Sequence, residues 1–400
     1  MQIGTSGHTV IIGAGVIGAA IGQSLVSRGQ SVTVVERGLI AAKPGASGAS
    51  AALLEPLAGA HPELRDTAQR ALARLPGLCR DLLADTGIDP QWSRPGSMVL
   101  ASRERDATWL RTFRMPMFHE IGEPVEWLTG HQARVIEPAI GSHVVGALRI
   151  PSTQSVHAPG YVRALIADVT RRGGVVLAET VVTGFRRDGL TVRAVVTSVG
   201  EILCDRVVIA CGAWSGQVAS LLGNDVPAVP ISPQRGQILA IAPTGGAPRV
   251  SHVLHGAGGY AVPKPNGTVL VGATHDNVGF DQSLTPEGFR FLGTLAHDLV
   301  PGIADEPVRH VWAGFRPIWE GSGPPPVGPL PGTENVIIAA GHGAIGLTVS
   351  AGVGEVVADL VTGREPPGRP DRPPPCARNA SAVAACCKAC SESGKSAEPG

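Results

Sequence analysis

The sequence has 400 residues, with 33 lysines and arginines against 33 aspartates and glutamates, so its formal net charge is zero. That balance excludes a strongly basic nucleic-acid binder and an acidic tail protein. The 53 glycines and 34 prolines are about twice the usual share of roughly 12% and predict many turns. At 43% hydrophobic residues the chain is rich enough to bury a core, and it exceeds the ~250 to 300 residues at which one core stops growing, so two domains or one large intertwined unit is expected.

No apolar run reaches the ~18 residues of a membrane span, and Met1 to His8 lacks the basic start, apolar stretch and small-residue cleavage site of a signal peptide. A soluble, cytoplasmic protein is therefore expected. Cys79, Cys204 and Cys211 are scattered, whereas Cys376, Cys386, Cys387 and Cys390 crowd into the C-terminal stretch, so the body carries no disulfide framework.

The chain opens with a β-branched run, His8 to Ile12, a glycine-rich turn, Gly13 to Gly18, apolar residues at helical spacing from Ala19 to Ser27, and a second β-branched run, Ser31 to Val35. This is a βαβ unit. Pro62 to Gly87 is amphipathic and reads as a helix in which Pro76 marks a kink or break. Tyr161 to Arg172 reads as a helix and Val175 to Ala178 as a strand, followed by strands at Val192 to Val199 and Ile202 to Ala210. From Val226 to Val271 short β-rich runs alternate with Gly/Pro turns, the pattern of a mostly antiparallel sheet. A helix near Pro286 to Leu299 precedes a strand at Asn335 to Ala339, a glycine-rich turn at Gly341 to Gly346 and a last helix to Thr362. The fold expected is α/β: a Rossmann-like cofactor domain from segments 8–75, 150–225 and 310–365, and a substrate domain from 76–149 and 226–309. Residues 366–400 read as a proline-rich linker and a disordered, cysteine-containing tail.

The turn Gly13-Ala14-Gly15-Val16-Ile17-Gly18 is a GxGxxG between strand and helix. Gly13 permits the tight turn, Gly15 lets the backbone approach a pyrophosphate, and Gly18 lets helix and strand pack closely. The phosphates then meet unpaired N–H groups at a helix N-terminus. Glu36 ends the second strand about 20 residues on, where a carboxylate accepts both ribose hydroxyls and disfavours a 2′-phosphate. The small-residue stretch Gly45 to Ala52, followed by Leu53, lets backbone run against a large flat cofactor. A second helix N-terminus after Gly341-His342-Gly343-Ala344-Ile345-Gly346-Leu347 suits the far end of that cofactor, which favours FAD over NAD; a fold-closing glycine turn is the other reading.

At these residues the sequence resembles the D-amino-acid oxidase superfamily of FAD enzymes, and its glycine oxidase branch in particular. The ordered blocks include GxGxxG with Glu36, Val207 to Ser215, Pro233 to Gln237, Tyr260 to Lys264 with Val271 to Thr274, Trp312 to Pro317, and the Gly341-His342 turn. The resemblance implies hydride transfer from the amine-bearing carbon to flavin N5, hydrolysis of the imine, and reoxidation of the flavin by oxygen to give hydrogen peroxide. It implies noncovalent FAD contacts at Val16, Ile17, Glu36, Arg37, Ala46, Ser47, Ala51, Ala52, Leu53, Val182 and from His342 to Thr348. Arg316 matches the family's carboxylate-binding arginine, whose planar fork fixes a substrate carboxylate at two points; an ion pair at a domain junction is the other reading. Tyr260 matches a sheet tyrosine facing the substrate, or is a half-buried structural residue. His342 is read as a turn residue near the cofactor, because hydride transfer from a neutral amine needs no protein base.

Two departures from the glycine oxidase pattern bear on the substrate, a small-molecule amino acid or amine. Ala344 stands where an arginine is usual, and Pro317 to Gly323 is longer and bulkier, so Trp319 is expected as a wall for a substrate larger than glycine. Beside an oxidase, the sequence leaves open a dehydrogenase passing electrons to a quinone or carrier, a flavin-binding module without turnover, and a homo-oligomer.

Overall fold

The computed structural model describes residues 7–244, 250–303 and 305–364; the proline-rich segment and the four C-terminal cysteines lie outside the described residues. Two large sheets organise the chain. The first has six strands in the order Val327–Pro329, Val336–Ala339, Arg206–Ile209, Thr9–Ile12, Val32–Val35, Val175–Leu177. Its strands pair in parallel apart from Val327–Pro329.

The period-two alternation of these short apolar strands explains how the parallel sheet is covered. Ile11, Val34, Val208 and Ile337 share a core with the helices Val16–Val26, Pro62–Thr86, Ala158–Arg171 and Gly346–Thr362. Val10, Ile12, Val35, Val207, Ile209 and Ile338 point the other way, to a core with Val192, Val195 and Leu222. That second cover is a three-stranded antiparallel sheet, Val182–Asp188, Thr191–Thr197 and Gly200–Leu203.

The larger sheet has eight strands in the order Val308–Trp319, Ile231–Ile241, Val269–Gly272, Gly259–Pro263, Val253–Gly256, Ser97–Ala101, Gly146–Ile150, Glu126–Thr129. Its pairings are antiparallel except between Val253–Gly256 and Ser97–Ala101. Leu292, Leu295, Ala296 and Leu299 of the helix Pro286–Leu299 close one face of it.

Three expected elements differ. The run Ile202 to Ala210 is two strands, because the chain changes sheet at Cys204 and Asp205: Gly200–Leu203 pairs with Thr191–Thr197, and Arg206–Ile209 joins the parallel sheet. Pro62–Thr86 is one 25-residue helix that continues through Pro76; burial of Ala68, Leu72, Leu75 and Leu82 offsets the ~3 kcal/mol that an interior proline costs. Residues 310–319, expected with the cofactor domain, belong to Val308–Trp319, a 12-residue strand of the larger sheet. It pairs along its length with Ile231–Ile241. Among the described residues no helix is long and apolar enough to cross a membrane.

Candidate active site

Thr9–Ile12 and Arg206–Ile209 lie side by side, and the chain continues from them into the cores on opposite sides of the sheet, through Ala19 and Ile21 on one and Ala219 and Leu222 on the other. The crevice beyond their carboxyl ends is the switch point at which such sheets bind ligands. A cavity of about 1350 Å³ begins there and runs to the larger sheet.

The glycine turn builds the nucleotide end. Gly13 has φ of +103°, and a Cβ on it would meet the Ala210 carbonyl oxygen at 2.5 Å. A Cβ on Gly18 would meet the Gly13 oxygen at 1.9 Å, so Gly18 is fixed by packing alone. Gly15 differs, since the nearest protein atom to its absent Cβ is Ser47 Oγ at 3.5 Å; the space above it faces the cavity. The helix Val16–Val26 has no cap from Gly15. Instead the Val16 N–H donates to Ser47 Oγ at 2.9 Å. Glu36 accepts from the Ala14 N–H at 2.8 Å and the Gly38 N–H at 3.2 Å. Arg37 lies 3.7 Å over the Trp214 ring.

The small-residue block crosses the cavity floor and is pinned to the larger sheet. Lys264 Nζ donates to the Ala51 carbonyl at 2.6 Å, Ser155 Oγ at 2.9 Å and the Val156 carbonyl at 3.1 Å. Trp312 Nε1 donates to the Ala49 carbonyl at 2.8 Å. Burial pushes the Lys264 ammonium down to about 7.

At the other end, the helix Gly346–Thr362 starts without a side-chain cap. Ile345, Gly346, Leu347 and Thr348 face the cavity. The preceding turn is held by the Gly343 N–H, which donates to the Pro317 carbonyl at 2.8 Å. His342 is buried, its Nε2 has no partner among the described residues, and burial pushes the imidazole down to about 4. It is neutral at ordinary pH. An unpartnered buried ring nitrogen, an uncapped helix start at Gly346 and the space over Gly15 fit a long dinucleotide with anionic groups.

Arg316 comes from the edge strand of the larger sheet. Its Nη1 donates to the Thr274 carbonyl at 3.0 Å and, at 3.4 Å, to Gln234 Oε1. Its acidic neighbours are engaged elsewhere: Asp276 and Asp281 pair with Arg235 at 3.0 and 3.1 Å. Arg316 thus has no carboxylate partner among the described residues, which removes the reading as a structural ion pair. Burial pulls this guanidinium below its ordinary value, with Tyr260 acting against the shift. Tyr260 also faces the cavity. Burial raises its phenol, and the nearby Arg316 partly offsets that.

The predicted cofactor positions come together along this cavity: Gly13, Gly15, Val16, Ile17, Glu36, Arg37, Ala46, Ser47, Ala51, Ala52, Leu53, Val182 and Gly341 to Thr348 line it, while Gly18 packs beneath. Trp319 does not line it. Its ring packs over Gly321, and its Cβ lies 3.0 Å from where a Cβ on Gly341 would stand. The expectation of Trp319 as a substrate wall is therefore corrected: it supports the turn from behind. Sequence reasoning missed Glu55, Arg114 and His275 in the lining, and the Lys264 anchor. The signal available for Glu55 was a lone acid directly after an apolar, small-residue block.

The family described as DAO, FAD dependent oxidoreductase, matches residues 8–360. Glycine oxidase from Pseudomonas aeruginosa is 35% identical over 370 residues, covering 90% of this chain and 96% of that protein. The crystal structure of glycine oxidase from Geobacillus kaustophilus superposes with a TM-score of 0.83 at 32% identity, covering 90% of this chain and 96% of the other. Iminodiacetate oxidase from Chelativorans sp. BNC1 superposes with a TM-score of 0.81 at 25% identity, covering 90% and 97%. With the dinucleotide cradle and the unpaired arginine on one cavity, these likenesses identify the chain as a member of the DAO family, a glycine-oxidase-like FAD-dependent amino-acid or amine oxidoreductase.

Proposed function

We propose that the chain is an oxidase of a small amino acid or amine. The amine-bearing carbon loses a hydride, the resulting imine takes up water and releases ammonia or an amine, and oxygen receives the two electrons as hydrogen peroxide. Bound FAD supplies the hydride acceptor and the route to oxygen. The protein binds, orients and excludes water. The single observation that carries this reading is the half-buried Arg316 guanidinium, which faces the cavity without a carboxylate partner among the described residues.

In this reading Gly13, Gly15 and the start of the helix Val16–Val26 hold the pyrophosphate, Gly18 keeps helix and strand close, and Glu36 turns from the Ala14 and Gly38 amides to the ribose hydroxyls. Ala46, Ser47 and Ala51 to Leu53 form the bed, and Gly341 to Thr348 take the far edge. Arg316 donates to the substrate carboxylate, with the Tyr260 hydroxyl beside it as a second donor. Holding the carboxylate at two points orients the adjacent C–H bond, which is the larger part of what the protein must do. Neutral His342 takes no part in the hydride step, which needs no protein base. Glycine and iminodiacetate, named in the relatives' descriptions, both carry an amine one carbon from a carboxylate.

The visible spectrum of the purified, FAD-loaded protein tests the reaction. Addition of amino acids without oxygen bleaches the flavin band, and admission of air restores it with stoichiometric peroxide. Bleaching that persists in air assigns a dehydrogenase instead, and a band that no amino acid or amine bleaches rejects the proposal.

A further inference from the structure

The Arg316 fork has a neighbour whose chemistry carboxylate binding does not use. Arg316 pairs with Gln234 across the strands Val308–Trp319 and Ile231–Ile241, and Gly236 pairs with Gly314. On the other side of Ile231–Ile241 the Arg235 and Asp276 backbones exchange hydrogen bonds of 2.9 Å each, which sets His275 opposite Gly236. Side chains directly opposite share a face of the sheet, and successive ones alternate. Arg235 and Asp276 therefore bond each other on the far face, while Arg316, Gln234 and His275 stand together on the face of Gly236. His275, Gly236 and Arg316 all line the cavity. The guanidinium lies across Gly236, with His275 at its side.

Two bonds to one oxygen identify the tautomer of this histidine. Gln234 Oε1 lies 3.4 Å from Arg316 Nη1 and 3.0 Å from His275 Nδ1. An arginine only donates, so the amide presents its oxygen to both, and His275 Nδ1 carries the proton. The imidazole cannot be farther from the fork than those two lengths laid end to end. Loss of hydration in the cavity pushes this ring down to about 4, with the Arg316 charge adding to the shift and Asp276 opposing it. His275 is thus neutral at ordinary pH, and its Nε2 is a bare acceptor with no hydrogen-bond partner among the described residues.

We infer that His275 is a specificity-determining residue whose Nε2 accepts an N–H of the substrate's α-amino group while Arg316 holds the carboxylate. This inference rests on the proposed amino-acid oxidation and deepens it. An amino acid carries its amino group on the carbon next to the carboxylate, so an acceptor beside the fork meets an N–H. An uncharged acceptor also suits the reaction. A carboxylate at this place would hold the amine as ammonium, whose nitrogen has no lone pair to support the departing hydride. The imidazole accepts one N–H and leaves that lone pair free.

Calorimetric titration of the FAD-loaded enzyme, without oxygen, with three small carboxylates provides the test. Acetate reports the fork alone, whereas glycolate and fluoroacetate match in size and differ in the donor beside the carboxylate. In the wild type glycolate binds about fivefold tighter than fluoroacetate, the worth of one net hydrogen bond. In His275→Phe, which keeps a ring but no acceptor, that ratio falls to near one; a weakened fork would lower all three affinities alike and leave the ratio. His275→Leu serves if the phenylalanine variant does not fold. Equal or weaker binding of glycolate in the wild type overturns the inference, as does a ratio that survives the loss of the imidazole. Failure of all three carboxylates to bind instead removes the Arg316 site, and with it the proposed function.

Discussion

The Arg316 guanidinium lies across Gly236, and a Cβ on that glycine would stand 2.7 Å from Nη2 and 2.9 Å from Cζ. The absence of a side chain on the neighbouring strand is what lets the long arginine lie down on the sheet. Gly236→Ala is expected to displace the fork by about an ångström and to lower kcat/KM for an amino acid about 100-fold. FAD content is expected to stay stoichiometric, since Gly236 belongs to the strand Ile231–Ile241 of the larger sheet and not to the glycine turn. Steady-state kinetics beside the flavin-to-protein absorbance ratio measure both, and loss of cofactor would contradict the assignment.

Gly15 and Gly18 are separated by the reason each is glycine. Gly18→Ala drives a methyl into the Gly13 carbonyl oxygen and is expected to cost at least ~1–3 kcal/mol of stability in the apoprotein. The methyl of Gly15→Ala meets no protein atom closer than Ser47 Oγ at 3.5 Å, so the apoprotein is expected to unfold near the wild-type midpoint while its affinity for FAD falls. Urea unfolding and FAD titration of both variants check this pair.

Ser47 supplies the acceptor that Gly15 cannot, bonding the Val16 N–H at 2.9 Å. Ser47→Ala is expected to destabilise the apoprotein by about 1 kcal/mol, the usual worth of a helix cap. An unchanged urea midpoint would show that the amide finds another acceptor.

His342 carries a pH dependence whose sign is fixed by its burial. The folded ring titrates at about 4, below the ~6.5 of an unfolded histidine, so between those values the unfolded chain binds more protons. Stability therefore falls as pH drops from about 6.5 toward 4. Replacement by asparagine removes that part of the slope. Unfolding midpoints of wild type and His342→Asn from pH 7 to pH 4.5 are expected to diverge, the wild type losing more; parallel curves would count against a neutral buried ring.

The βαβ start was legible because a short parallel strand buried on both faces is a continuous β-branched run, and Gly13 to Gly18 with Glu36 fixes its register. Val308–Trp319 was misplaced because its neighbours in the chain, not its partner Ile231–Ile241, suggested where it belonged; pairing across a long insertion leaves no local mark. Arg316 was legible as a residue type within a block. Its lack of a carboxylate partner was not, since that depends on Arg235 engaging Asp276 and Asp281. Trp319 shows the converse. Bulk next to a site in sequence suggested a wall, but on a strand alternate side chains face opposite ways, and Trp319 lies behind the turn. Glu55 was missed because the side chain that holds it at the cavity, His255, lies 200 positions away.

The central claim is that Arg316 holds a carboxylate in the cavity where FAD binds. The direct measurement is kcat/KM for an amino acid and for the amine left by its decarboxylation, in the wild type and in Arg316→Met. Loss of a charge-assisted contact of ~2–5 kcal/mol predicts that the wild type prefers the amino acid by about 30-fold or more and that the variant, still loaded with FAD, treats the two nearly alike. A wild type indifferent to the carboxylate, or a variant that keeps the preference, would contradict the account.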